Sequence, residues 1–91
     1  MKISKEQEQQ FRLKIQYVED GIKKVEKQIN RNVFRHWGIS GDNEHDYVSF
    51  FGEGLFSYTI PYEIFMALTP KELVIEIMRA LTIEFNEYEN E

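Results

Sequence analysis

Phe11, Ile15, Val18, Ile22, Val25 and Ile29 recur at alternating steps of four and three, which places all six on one narrow stripe of a helix. Ser4 followed three residues later by Gln7 is a capping-box signature for the helix start, and no proline interrupts the chain before Pro61. The spacing therefore predicts a long helix over about residues 5–33. At 1.5 Å per residue such a helix is ~40 Å long, against ~30 Å for the diameter of a domain of this size. Part of it must project or pair. With Ile15, Ile22 and Ile29 at one seam position and Phe11, Val18 and Val25 at the other, the pattern resembles that of a two-stranded coiled coil. A homodimer along this self-association seam is expected, although pairing with the last helix of the same chain satisfies the same residues.

Residues 36–46 read as a loop, because Gly38, Ser40, Gly41, Asp42 and Asn43 supply turn chemistry. A hairpin is expected over 47–60. Tyr47 to Phe51 and Leu55 to Ile60 are rich in aromatic and β-branched residues, and Gly52-Glu53-Gly54 forms the connection. Pro61 ends the second strand and opens a short helix, 61–68. Thr69, Pro70 and Glu72 make a second helix start. The final helix is expected over 70–88, with Val74, Met78, Leu81, Phe85 and Tyr88 as its seam and Leu73, Ile75, Ile77 and Ala80 widening it. The order α-β-β-α-α over residues 1–91 gives one two-layer α+β domain: a long N-terminal helix, a two-stranded antiparallel hairpin, a short helix and a C-terminal helix.

The absence of cysteine removes disulfides, thiolate metal sites and Cys nucleophiles. No apolar run approaches the roughly 20 residues of a membrane span, and residues 1–6 have no signal-peptide core, so a cytoplasmic protein with no membrane contact is expected. Catalysis has little to work with. Only His36, His45 and the carboxylates are candidates, and no third partner stands at a diagnostic spacing. Asp42 to Asp46 with Glu53 echoes a calcium loop, but Tyr47 stands where that loop needs glycine, and Val48 to Phe51 read as strand. The glycine pairs lack the lysine and the strand-to-helix setting of a phosphate loop. No catalytic residue, cofactor or metal is assigned, and an enzyme is not expected.

The net charge of −5 hides a split: residues 1–39 carry nine Lys/Arg against five Asp/Glu, and residues 40–91 carry two against eleven. Solvated helix faces account for much of this. The acidic half also suggests a partner-binding face at Glu72, Glu76, Glu84 and Glu87, in its sharpest form a mimic of the DNA phosphate pattern that inhibits a nucleic-acid-binding protein. Phe51, Phe56 and Tyr58 form a candidate aromatic hairpin surface. The expectation is a small non-enzymatic module that docks on or inhibits a larger protein partner. The alternative is a nucleic-acid-binding or regulatory module using residues 23–37, with Lys23, Lys27, Arg31 and Arg35 on phosphates and Trp37 stacking on a base.

Overall fold

Ser4 Oγ accepts the Gln7 N–H at 3.1 Å and Gln7 Oε1 accepts the Ser4 N–H at 2.9 Å, so two otherwise orphaned donors of the first turn are satisfied together. The computed structural model, which describes residues 3–42 and 44–82, shows helix α1 running from this cap over Lys5–Ile29. It stops short of the expected residue 33. Asn30 adopts the left-handed conformation at φ 57°, and its N–H turns back to the carbonyls of Glu26 and Lys27. Asparagine tolerates that conformation and serves as a C-terminal helix stop. The buried Glu26 carboxylate then takes the N–H groups of Val33 at 2.6 Å and Phe34 at 3.0 Å, which turns the chain straight into a strand.

That strand corrects the expected loop at 36–46. Strand β1 covers Phe34–Gly41, β2 covers Asp46–Gly52 and β3 covers Ser57–Pro61, forming one antiparallel sheet in the order β1-β2-β3. The sheet has three strands where two were expected. The true turn is short, since the Asp42 carboxylate accepts the N–H groups of Glu44 at 2.8 Å and His45 at 2.7 Å. Gly41 is packed against that turn: a Cβ there would lie 2.5 Å from Asp46 Oδ1 and 2.9 Å from the His45 carbonyl oxygen. A register shift between Phe34 and His36 leaves Arg35 in a bulge. The β2–β3 connection is also longer than the expected Gly52-Glu53-Gly54. Leu55 and Phe56 belong to it, and it closes with Gly52 N–H donating to the Phe56 carbonyl at 2.9 Å.

Helix α2 spans Tyr62–Ala67 and α3 spans Pro70–Leu81, the latter opened by the expected Thr69–Glu72 capping box. Thr82 is extended, so α3 ends before the expected residue 88, and Phe85 and Tyr88 lie outside the described residues. α1, α2 and α3 cover one face of the sheet. Phe11, Ile15, Val18 and Ile22 are buried against Val48, Phe50, Ile60, Phe65, Leu73, Ile77 and Met78, with Val25 and Ile29 half-buried at the margin. The helix seam is thus filled from within the chain, and the expected homodimer finds little of it exposed. Gly21 explains how closely the helices approach: a Cβ there would meet Val74 Cγ2 at 2.7 Å. Among the described residues nothing covers the other sheet face, where His36, Gly38 and Ser40 pair across with Phe51, Ser49 and Tyr47. No helix among them is long and apolar enough to cross a membrane.

Candidate interaction surface

The end of the sheet where β1 begins and β2 turns gathers side chains from three separate segments. Arg31 after α1 and Arg35 in the bulge both reach Glu53 on the β2–β3 turn, at 3.0 Å and 2.6 Å, one guanidinium on each carboxylate oxygen. Exposed ion pairs of this kind add little stability singly, but a shared carboxylate fixes the turn relative to the α1–β1 connection. The turn then presents Leu55, fully exposed, and Phe56, 59% exposed. On the uncovered face beside them the His36 and Phe51 rings stack at 4.7 Å. Arginine and aromatic side chains around an exposed apolar pair are the residue types that anchor protein interfaces.

The three residues of the expected aromatic surface do not share a face. Phe51 lies on the open side, Phe56 at the tip, and Tyr58 is turned to the helices, where its hydroxyl donates to the Glu76 carboxylate. Burial first, and then the hydrogen bond and negative charge of Glu76, hold the Tyr58 proton on and raise its pKa above the usual 10.0. Because the folded value exceeds the unfolded one, the stability this contact gives is whole below pH 10.0 and is lost as pH climbs above it. Denaturation midpoints of wild type and Tyr58→Phe should therefore keep a constant gap up to pH 10.0 and converge from there towards about pH 12. A gap that stays constant across that window would remove the contact from the account.

The expected acidic face is engaged internally where it is described. Glu76 holds Tyr58, and Glu72 accepts the N–H and hydroxyl of Thr69, bonds that lower its pKa. Glu84 and Glu87 lie outside the described residues. The basic segment is likewise divided. Lys23 and Lys27 are exposed on α1, and Arg31 and Arg35 hold Glu53. Trp37 packs edge-on against Phe11 at 5.8 Å on the helix side, away from the open sheet face. Among the described residues no three His, Asp or Glu side chains come together as metal ligands. Every buried side-chain polar atom there has a hydrogen-bond partner.

Leu55, Glu53 and His36 did not stand out in the sequence as a group. One signal was available: Phe56, Tyr58 and Ile60 keep the two-residue alternation of a strand, and Leu55 falls out of step with them. In comparisons with protein-family models, curated proteins and solved structures, nothing matches this chain.

Proposed function

We propose that this chain is a non-catalytic interaction module that docks on a larger protein through the hairpin end of its sheet. The observation that carries this reading is the exposure of Leu55 and Phe56 on a turn fixed by Arg31, Glu53 and Arg35. Leu55 contributes nothing to the core and Phe56 is more than half exposed, and burying them against a partner is worth at most about 1.5–3 kcal/mol each. The His36–Phe51 stack extends the surface, and the ion-paired arginines form its polar rim. A DNA-mimicking face is the weaker form of the reading, because Glu72 and Glu76 are committed to Thr69 and Tyr58.

The test is affinity capture with tagged wild type and a Leu55→Ser/Phe56→Ser variant, each with and without nuclease. Both chains should fold alike, since exposed substitutions usually change stability by within about 0.5 kcal/mol. The expected result is one stoichiometric protein retained by wild type after nuclease and at least about tenfold less by the variant. Equal retention by the variant would remove the hairpin end from the reading. Partners lost on nuclease treatment would move it to Lys23, Lys27, Arg31 and Arg35.

A further inference from the structure

Exposure grows along β3 towards the hairpin end. Ile60 is 4% exposed, Tyr58 is half-buried beneath Glu76, and Phe56, in step with both, is 59% exposed. The helix layer gives out before the sheet does. α3 reaches Tyr58 through Glu76 and ends at Leu81, which lies so close to Gly52 that a Cβ there would meet Leu81 Cδ2 at 3.1 Å. Gly52 N–H in turn donates to the Phe56 carbonyl at 2.9 Å. The last turn of α3 therefore stands at the base of the turn that carries Leu55 and Phe56.

The chain leaves the helix layer at this place. Thr82 is 6% exposed and extended at φ −154° and ψ 137°, with its N–H on the Met78 carbonyl. Residues 83–91 follow it, holding Ile83, Phe85 and Tyr88 with four glutamates and no lysine or arginine. Thr82 and Ile83 are both β-branched, which disfavours a return to helix. On extended backbone Ile83 and Phe85 fall on one side, and three residues span about 10 Å. That reach is enough to cross from Leu81 to the tip of an adjoining turn. At the hairpin end Lys27, Arg31 and Arg35 stand against Glu26 and Glu53, so the pull on the glutamates is small and the apolar side chains must carry any contact.

We infer that residues 83–91 pack back over Leu55 and Phe56 in the free chain, with Ile83 and Phe85 against them, and that the protein partner must displace this segment to dock. A segment tethered this close acts at an effective concentration of about a millimolar, so even a weak contact holds the surface closed for much of the time. Partner affinity is then reduced in proportion to the open fraction. The displacement rests on the docking proposed above, whereas the contact within the chain does not need a partner.

The chain has no cysteine, so a nitroxide attached through Glu87→Cys marks this segment alone. In the isotope-labelled whole chain the amide signals of Glu53 to Phe56 are expected to broaden, while those of Asp42 and Glu44 at the opposite end of the sheet keep their intensity. Leu55→Ser/Phe56→Ser and Ile83→Ser/Phe85→Ser should each restore the broadened signals. In affinity capture, Ile83→Ser/Phe85→Ser should retain about fivefold more partner than wild type. Unbroadened signals at the hairpin end would overturn the inference. Slowed amide exchange through residues 83–88 with the hairpin end unbroadened would overturn it in favour of a longer α3. Broadening that persists when nitroxide and isotope sit on different chains would overturn it in favour of a second copy. Equal capture by wild type and the Ile83→Ser/Phe85→Ser variant would overturn the displacement. Broadening present while neither chain captures a partner would strike the docking reading and uphold the contact within the chain.

Discussion

Phe11→Ala is expected to lower stability by about 3–5 kcal/mol, a large part of the 5–15 kcal/mol that holds an ordinary domain together. Phe11 is 2% exposed, and its ring meets Phe65 at 5.4 Å, Tyr62 at 5.7 Å and Trp37 at 5.8 Å. One side chain on α1 therefore joins α2 to the inner face of β1. Its loss removes buried apolar area and three aromatic contacts, and leaves a cavity that three rings cannot easily close. Urea titration should show the midpoint falling with an unchanged slope, and Trp37 emission moving to longer wavelength in the folded variant. A loss below about 1 kcal/mol would mean that the α1–α2–β1 junction is not the packing centre described.

The second large effect is expected at Glu26, a residue 7% exposed whose carboxylate accepts the N–H groups of Val33 and Phe34. Glu26→Ala leaves both donors without a partner where α1 hands the chain to β1, and should lower stability by about 2–4 kcal/mol. Glu26→Gln keeps an accepting oxygen but loses the charge assistance, so its loss should be about half as large. No loss for Glu26→Gln beside a full loss for Glu26→Ala would show that packing, and not the charge-assisted hydrogen bonds, fixes that junction. Native-state hydrogen exchange at Val33 and Phe34 separates these outcomes directly, since only loss of the acceptor speeds both amides.

The helices were legible in the sequence because their signals are local. Ser4 with Gln7, Thr69 with Glu72, and the stripe from Phe11 to Ile29 each state a position and a face within a few residues. Strand β1 was missed for the converse reason. Gly38, Ser40 and Gly41 carry turn chemistry, and what makes them strand is their cross-strand pairing with Ser49, Tyr47 and Asp46, which their own propensities do not encode. Gly21 shows the same limit in a helix, where local propensity gives only a weakness and the reason is Val74 on another element. The acidic, aromatic and basic groups each formed a coherent cluster in the sequence. In the fold Glu76 and Tyr58 hold each other, Trp37 faces the helices, and Arg31 and Arg35 meet on Glu53. Which side of a strand a residue occupies depends on register, and one unrecognised strand changes that assignment for its neighbours.

The most direct test of docking through the hairpin end is hydrogen exchange of the chain, free and saturated with the protein partner recovered by affinity capture. Slowed exchange at Gly52 to Ser57, with Lys23 to Lys27 and Glu72 to Glu76 unchanged, is the predicted result. Slowed exchange along either of those helix faces, with the hairpin end unchanged, would contradict it.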